Sequence, residues 1–298
     1  MSERMAKICL GTVKLGVPGY GFSSRQAVSE FDPLLFLGQV EAAGVHRFDT
    51  SPRYGRSEEI LGAYLAQVSA QPLVSSKIDA LQPNDPDSPG KMLRSVRSSL
   101  QRLNLPHLDI CYLHQNELEI ISDPYVHEGL VRLKEQGLIK AAGASLYSHA
   151  ECEYALDSAT FEVIQIPVSI FDLGFYQRFI KNNRSKVRFA ARSLLLQGVL
   201  ADHSSIDSRI KQARQIQDYL RQLDSLARVY GLPVIAMALG FVASLPGLDH
   251  YLIGTSSIEN LQQNIQFINL ELPEELRAQL VELAAPAKEW TNPRNWSS

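Results

Sequence analysis

FDTSPRYGRSEEILG, residues 48–62, contains in order the end of a strand, a polar loop and the start of a helix. The strand is predicted over His46–Phe48 and is followed by Asp49, after which TSPRYG has the composition of a turn. The helix is predicted over Ser57–Ala66, because two acidic residues follow its first position, where negative charge suits the helix dipole. The loop contains Tyr54, so a carboxylate and a phenol are expected at one end of this strand.

The same order of strand, turn and helix repeats along the chain. Strands are predicted over Ile8–Leu10, His46–Phe48, Leu73–Ser76, Asp109–Leu113, Ala141–Ala144, Val163–Ile166, Val187–Ala190 and Tyr251–Ile253. Helices are predicted over Leu34–Ala43, Ser57–Ala66, Lys91–Leu103, Tyr125–Gln136, Ala150–Ser158, Phe175–Asn182, Gln212–Tyr230 with Val234–Ser244, and Ile258–Ile268. Such alternation indicates parallel βαβ units, which either close into a barrel or form an open doubly wound sheet. The count of eight favours the α/β class with a (β/α)8 TIM barrel.

No linker or low-complexity tract divides the chain, so residues 1–298 are expected to form a single barrel domain with an additional C-terminal helix and tail. LQPNDPDSPG (Leu81–Gly90) is interpreted as a turn-rich loop after the third strand. Whether this loop, Asp202–Arg209 or the tail with Trp290 and Trp296 covers a site is left open. For the two tryptophans, pinning the tail to the barrel is favoured over forming a pocket wall.

Composition excludes several classes of protein. The net charge is -3 without a basic block, which argues against nucleic-acid binding, and no long apolar run indicates export or a membrane span. Cys9, Cys111 and Cys152 lack metal-ligand spacing and are interpreted as thiols of a reducing compartment, with no metal site expected. We therefore expect a cytoplasmic monomer or small homo-oligomer that acts on a small molecule.

Four chemically coupled residues follow three successive predicted strands. Asp49 and Tyr54 follow the second strand, Lys77 the third and His114 the fourth. Each alone has a structural explanation, such as a turn cap or a surface lysine. Together, at the C-terminal end of a parallel barrel, they form a set suited to proton transfer. A phenol has a pKa near ~10, and a neighbouring lysine, kept charged by an aspartate, is expected to lower it.

These segments resemble the aldo-keto reductase family. The stretch 48–62 is similar to the family signature that contains the catalytic aspartate and tyrosine, while LVSSKI (73–78) and LDICYLHQN (108–116) match its lysine and histidine segments. LGTVKLGVPGYG (10–21) and IGTSSIENLQQN (253–264) resemble its first-strand and cofactor-binding segments. The resemblance implies carbonyl–alcohol interconversion with NADP or NAD, held without a Rossmann domain. Tyr54 is then the proton donor, Lys77 lowers its pKa, Asp49 holds Lys77, and His114 orients the carbonyl.

The resemblance also implies where the cofactor lies. By position, Ser145 and Gln165 address the nicotinamide carboxamide, Ser193 and Gly198 the pyrophosphate, and Arg192 the nicotinamide face. The remaining expected contacts are Gly11 and Thr12 in the first segment, Gly254, Thr255 and Ser256 at the adenosine phosphate, and Gln263 and Asn264 near the adenine. For the last two residues, a solvated helix face is the alternative.

Three departures from the family pattern bear on the cofactor. Leu146 stands where an asparagine is common, so one carboxamide contact is in doubt, and Arg192 stands where an aromatic side chain often stacks. No basic residue follows the eighth strand, with Asn260 where an arginine is frequent. The 2′-phosphate of NADP thus lacks an evident partner, and the choice between NADP and NAD stays open.

The substrate is predicted only as a class. LGTVKLGVPGYGFSS (10–24) and ARSLLLQGVL (191–200) resemble bacterial members associated with sugar metabolism and surface-polysaccharide assembly, which implies a sugar or nucleotide-sugar carbonyl. Polar candidates around such a pocket are Tyr20, Arg53, Gln115, Asn116 and Arg192. Two rival functions are a cofactor-sensing accessory subunit and a Schiff-base aldolase using Lys77. The aldolase is disfavoured, because pairing with Asp49 raises the pKa of the lysine.

Overall fold

The computed structural model describes residues 2–17, 19–20, 31–69, 71–115, 117–200, 206, 212–284 and 289–291. Its strands are β1 (Ile8–Gly11), β2 (Arg47–Asp49), β3 (Leu73–Ile78), β4 (Leu108–Leu113), β5 (Ile139–Ser145), β6 (Val163–Pro167), β7 (Arg188–Arg192) and β8 (Leu248–Ile253). They pair in parallel in chain order, and β8 closes on β1 with Tyr251 opposite Ile8. The predicted TIM barrel is confirmed, and the open sheet is excluded.

Helices surround the barrel. The α-helices are α1 (Glu3–Ala6), α2 (Val13–Gly16), α3 (Pro33–Ala42), α4 (Ser57–Leu65), α5 (Ser88–Leu103), α6 (Leu118–Ile121), α7 (Pro124–Glu135), α8 (His149–Asp157), α9 (Ala213–Tyr230), α10 (Val234–Ser244), α11 (Ile258–Ile268) and α12 (Glu274–Ala284). Short 3-10 turns lie at Leu196–Gly198 and Glu289–Thr291. Helix α12 is the additional C-terminal helix that was expected.

Two predicted helices differ from those observed. The segment predicted over Phe175–Asn182 is a π-helical turn, Tyr176–Ile180, in which Lys181 N–H donates to the Tyr176 carbonyl at 2.9 Å. Helix α5 begins at Ser88, three residues before the predicted start, so the loop after β3 is shorter than predicted. Its second residue is Pro89, which is tolerated in a first turn because its missing N–H has no helical partner there.

The N-terminal end of the barrel contains charged side chains around a cavity of about 240 Å³. Lys140 pairs with Asp109 at 2.8 Å, and Arg47 lies 3.6 Å from Asp249. Residues at this end of a TIM barrel contribute to stability, whereas the chemistry takes place at the opposite end.

The C-terminal tail is anchored by an aromatic contact. Trp290 is buried, with its ring centroid 5.2 Å from that of Phe171 and 5.6 Å from that of Tyr219. This packing supports the pinning interpretation for Trp290, while Trp296 lies outside the described residues.

No single helix in the described ranges is long and apolar enough to cross a membrane; only α9 and α10 taken together, bent by 91°, pass that test by length and composition.

Candidate active site

A buried ion pair lies at the C-terminal end of β2 and β3. Asp49 is the last residue of β2 and lies opposite Ser75, so Lys77, two residues further along β3, points to the same face. The Lys77 Nζ donates to Asp49 Oδ1 and, at 2.9 Å, to the carbonyl of Thr50. Both charged side chains are only 2% exposed, so the pair is held in a low-dielectric interior.

Tyr54 lies against this pair. Its ring centroid is 5.0 Å from Lys77 Nζ. Burial raises the pKa of the Tyr54 phenol above its ordinary value, and the Lys77 cation acts in the opposite direction. The lysine was expected to lower this pKa; it acts in that direction, but burial is the larger effect and the net change is upward. For Lys77, burial acts to lower the pKa, but the charge of Asp49 and the interaction with Tyr54 raise it above its ordinary value.

The loop that contains Tyr54 is tied to β1. The hydroxyl and amide of Thr12 donate to the Asp49 carbonyl at 3.0 and 2.9 Å, and Ser57 donates to the Thr12 hydroxyl at 2.7 Å. Thr12 was expected to touch the cofactor; in the structure its hydroxyl is buried in this network. It therefore joins the end of β1 to the end of β2 and the start of α4.

Two glycines bring backbones into direct contact beside Tyr54. A Cβ added to Gly16, at the end of α2, would lie 1.8 Å from the Tyr54 carbonyl oxygen and 2.5 Å from the Ser57 amide. Gly55 has φ +54° and faces the Gly16 carbonyl. Neither glycine was singled out from the sequence, because such a close approach between separate segments leaves no local pattern.

His114 directly follows β4. Its ring is perpendicular to that of Tyr54, with centroids 6.1 Å apart. Its Nδ1 lies 2.8 Å from Asp79 Oδ2, and Arg53 Nε lies 3.1 Å from the same oxygen. Asp79 was missed in the sequence, although an acidic residue just beyond the end of β3 is a positional signal.

Gln165 and Ser145 continue the buried polar network across the barrel. Ser145 on β5 lies opposite Gln165 on β6 and donates its hydroxyl to Gln165 Oε1 at 3.1 Å. The Gln165 amide then donates to Asp49 Oδ2 at 3.1 Å. The structure therefore brings both predicted carboxamide contacts into one hydrogen-bonded chain with Asp49.

Arg192 lies at the rim, at the end of β7. Its guanidinium carbon is 3.8 Å from the centroid of the Tyr147 ring, and its Nη2 donates to the Leu146 carbonyl at 2.9 Å. Its Nη1 donates to Ser193 Oγ at 3.3 Å, and Ser193 adopts φ +62°. Stacking was anticipated for Arg192, but the partner in the protein is Tyr147, which the sequence analysis did not consider.

The segment after β8 leads into α11. A Cβ added to Gly254 would meet nothing within 4 Å, and Thr255 Oγ1 accepts the Ser257 amide at 3.1 Å. Ser257 caps α11 and donates its hydroxyl to Glu259 Oε2 at 2.7 Å, which lowers the pKa of that carboxyl. Ser256 is half-buried in the same turn.

Further along α11, Gln263 is exposed, whereas Asn264 is buried. These two residues were grouped as contacts for the adenine, but they occupy different faces of the helix. Gly198 lies in the 3-10 turn after β7 with φ +100°. Gly11 is the last residue of β1.

The proposed sugar contacts are scattered around the rim. Tyr20 and Arg53 are exposed. The side chain of Gln115 is hydrogen-bonded within the protein, because its amide oxygen accepts the Leu81 amide at 2.5 Å. Asn116 and most of Asp202–Arg209 lie outside the described residues.

Known proteins resemble this chain over nearly its whole length. A sequence profile of the Aldo/keto reductase family matches residues 7–285. An uncharacterized oxidoreductase of Mycobacterium tuberculosis strain H37Rv is 27% identical, over 94% of this chain and 90% of that protein. The D-threo-aldose 1-dehydrogenase of a Pseudomonas species is 24% identical, over 90% of this chain and 94% of its own. Among solved structures, the holo form of an aldo-keto reductase from Bacillus halodurans superposes with a TM-score of 0.77 at 21% identity, over 96% of this chain and 94% of that one. The barrel, the residues gathered at its C-terminal end and the match over 7–285 agree, and the chain belongs to the aldo/keto reductase family of oxidoreductases.

Proposed function

We propose that this protein is an NAD(P)(H)-dependent oxidoreductase that interconverts a carbonyl and an alcohol, with Tyr54 as the general acid/base. The observation that carries the proposal is the buried Asp49–Lys77 pair beside Tyr54. A phenol is a weak acid, and a fixed cation stabilises the phenolate that forms when it gives up its proton. Asp49 keeps that cation charged and in place.

The bound cofactor supplies or accepts the hydride. In reduction, Tyr54 donates the phenolic proton to the substrate oxygen while Lys77 stabilises the developing phenolate. In oxidation, the phenolate accepts the hydroxyl proton of the alcohol. His114, at the edge of the Tyr54 ring, is placed to hydrogen-bond the same substrate oxygen and so hold it beside the phenol.

The dinucleotide is proposed to bind at the C-terminal end of the barrel. Ser145 and Gln165 are buried polar groups beside the catalytic residues and are proposed to hold the carboxamide. The open space at Gly254 leaves room for a ligand beside the first turn of α11, whose amides suit a phosphate. Arg192, Ser193 and Gly198 line the β7 side of the same end. No cation was found in the first turn of α11, which contains Glu259, and this favours NAD over NADP.

The substrate is proposed to be a small aldehyde, ketone or sugar. Tyr20 and Arg53 place exposed polar groups near the catalytic residues, as a hydroxylated substrate requires. The name of the Pseudomonas relative, an aldose dehydrogenase, points to the same class.

The Schiff-base aldolase is not supported by the environment of Lys77. Attack of a lysine on a carbonyl needs the neutral amine, which a lowered pKa provides. Pairing with Asp49 instead raises the pKa of Lys77.

The proposal is tested by Tyr54→Phe in the full chain. Fluorescence titration with NADH and NADPH should give the same Kd for the variant and the unmodified protein. Reduction of a panel of aldehydes and aldoses should fall in kcat by at least ~100-fold. Tyr125→Phe, at an exposed tyrosine on α7, is the matched control and should retain full turnover. Undiminished turnover of Tyr54→Phe would overturn the assignment, and cofactor binding without any turnover by the unmodified protein would indicate the sensing subunit.

A further inference from the structure

We propose that the N-terminal mouth of the barrel is a ligand site, which binds the phosphate group of a small anion between Arg47 and Arg188. The site lies at the opposite end of the barrel from Tyr54, so it does not depend on the function proposed above. Its ligand is free phosphate or the phosphate group of a small ester.

Alternation along two strands directs both arginines into the barrel. Side chains two or four residues apart on a strand point to the same face, so Arg47 on β2 shares the face of Asp49, and Arg188 on β7 shares that of Arg192. Arg47 begins β2 and Arg188 begins β7, which places both at the N-terminal end. Both line the cavity of about 240 Å³ at that end.

The cavity has room and a polar wall. Cys9, Ser75 and Ala141 line it with short side chains, and the buried ring of His250 adds a polar group. Empty cavities in proteins are apolar, whereas one with charged walls holds water or a polar ligand. Space for a small ion therefore remains inside the ring of strands.

One carboxylate oxygen lies between the two arginines. Asp249 Oδ2 is 3.6 Å from Arg47 Nη1 and 3.9 Å from Arg188 Nη1, but only 2.8 Å from His250 Nδ1. The hydrogen bond is therefore with the histidine, and both arginines lie beyond hydrogen-bond distance. Because both distances end on the same atom, the two guanidinium groups are close enough for one small ion to contact both.

The guanidinium groups keep their donors for a ligand. Within the ranges that the structure describes, their polar contacts are these two longer approaches to Asp249. A guanidinium group presents its N–H donors as a planar fork that matches phosphate. Arg47 and Arg188 stand on strands separated by β1 and β8, so they approach from different directions. This favours a tetrahedral phosphate, whose oxygens point in several directions, over a planar carboxylate.

The other carboxylates of the mouth have closer partners. Asp109 pairs with Lys140 at 2.8 Å and accepts the Val74 amide at 2.8 Å. Glu162 pairs with Lys134 at 2.9 Å. These two carboxylates are thus compensated by lysines, and neither occupies the donors of the arginines.

The balance of charge at the mouth is positive. Burial acts to raise the pKa of Asp249, but His250 and the two arginines lower it below its ordinary value, so this carboxylate is ionised. Together with Asp109 and Glu162 it faces two lysines and two arginines, which leaves one cation in excess even with His250 neutral. A cleft with excess charge of one sign attracts ions of the other.

Binding is measured with the full chain in a buffer that contains no other phosphate. The ³¹P resonance of inorganic phosphate, and separately that of glycerol 3-phosphate, is followed as protein is added. Saturable binding is expected. A lower Kd for the ester would identify an ester as the ligand, and an equal or lower Kd for phosphate would identify the free ion. Absence of saturable binding of both would overturn the proposal.

Four variants locate the anion. Arg47→Gln and Arg188→Gln should each raise the Kd at least ~10-fold, the scale of one lost charge-assisted hydrogen bond. Asp249→Asn removes a competing negative charge and should lower the Kd by ~5-fold. Arg221→Gln, at an exposed arginine on α9, is the matched control and should leave it unchanged. An unchanged Kd in both Arg47→Gln and Arg188→Gln would overturn the proposal.

A crystal of the unmodified protein soaked in selenate, a tetrahedral oxyanion, gives a test that needs no variant to fold. An anomalous peak is expected between Arg47 and Arg188, and peaks confined to other places would contradict the site. Repeating the ³¹P titration with NADH present separates the two ends of the barrel. The Kd for phosphate should not change, whereas displacement of phosphate by NADH would show that the anion had bound in the place of the cofactor.

Discussion

Lys77 and Asp49 are opposite charges that the barrel removes almost completely from solvent. Replacing Lys77 by Met leaves the Asp49 carboxylate buried without its partner, and such a loss lowers the free energy of unfolding by about 3–5 kcal/mol. We expect this loss in urea denaturation, together with the loss of turnover.

The double variant Lys77→Met/Asp49→Asn separates the effect of the ion pair on stability from its effect on turnover. Removing both charges should restore much of the stability, since no unpaired charge remains, but not the turnover. If the free energy of unfolding of the double variant instead falls by the sum of the losses in the two single variants, the charges do not interact. The ion pair then does not stabilise this site.

Glu259 offers a second prediction at a single residue, on cofactor choice. Its carboxylate stands in the first turn of α11, where the adenosine phosphate is proposed to bind. Because like charges repel, Glu259→Arg should lower the Kd for NADPH at least ~10-fold relative to that for NADH, by a change of ~1.4 kcal/mol. Fluorescence titration at two salt concentrations measures both constants.

The same charge change at a distant position controls for the effect of the protein's net charge on cofactor binding. Glu282→Arg, at an exposed position on α12, makes the same change of charge and should leave the ratio of the two constants unaltered. An unaltered ratio in Glu259→Arg itself would show that the 2′-phosphate lies elsewhere.

The functional residues at strand ends were predictable from the sequence, whereas the side chains that contact them from neighbouring strands and loops were not. Asp49 ends β2 and His114 directly follows β4, and barrel geometry places all such positions at one end. Asp79 follows a strand too, but its importance comes from an oxygen 2.8 Å from a histidine 35 positions away. Tyr147 gains its role in the same manner, from the guanidinium of Arg192. Side-chain contacts between strands leave no trace in the spacing of either segment.

At the scale of elements, helix α2 sets the position of the Tyr54 loop. Gly16→Ala places a methyl group 1.8 Å from the Tyr54 carbonyl, so the loop must move while the barrel remains. Because small misplacements of catalytic groups are costly, kcat should fall ~10–100-fold with a far-ultraviolet circular dichroism spectrum like that of the unmodified protein.

Gly38→Ala is the control for the glycine substitution. Gly38 is an exposed glycine inside α3 with open space at its Cβ, so alanine should raise the free energy of unfolding by ~0.5–1 kcal/mol and leave kcat unchanged. A Gly16→Ala variant with full activity would show that the loop yields without displacing Tyr54.

The alternation of elements was predictable because apolar runs and turn residues mark each βα unit locally. Predicted strands match those observed within a few residues, and α10 and α11 match at both ends. The π-helical turn at Tyr176–Ile180 was not predictable, since an α-helix and a π-turn share the same residue types. Here Phe175 and Phe179 both pack on the ring of His149, with centroids at 4.9 and 5.5 Å, so tertiary contacts accompany the wider turn.

For the whole molecule, the barrel buries groups that must stay protonated. Burial raises the pKa of the Cys111 thiol to about 12 and raises those of Cys9 and Tyr112. A pKa that is higher in the folded than in the unfolded chain stabilises the fold fully below the unfolded value, ~8.5 for a thiol and ~10 for a phenol. That stability is lost as the pH rises toward the folded value.

The free energy of unfolding should therefore fall above pH ~8.5, by up to ~1.4 kcal/mol per pH unit for each thiol, and more steeply above pH ~10 where phenols and the raised pKa of Lys77 add to it. Urea denaturation under reducing conditions between pH ~7 and ~10 measures this slope.

Cys111→Ala should remove one thiol's share of the slope above pH ~8.5, since alanine has no proton to lose. Val96→Ala, at a buried position on the neighbouring helix α5, should lower stability by a pH-independent amount, because it creates a cavity without removing a titrating group. Identical slopes for Cys111→Ala and the unmodified protein would mean that the thiol ionises as readily inside the barrel as outside it. The interior would then be wetter than the exclusion of Asp49 and Lys77 from solvent implies, and the strong coupling of that pair to Tyr54 would lose its physical basis.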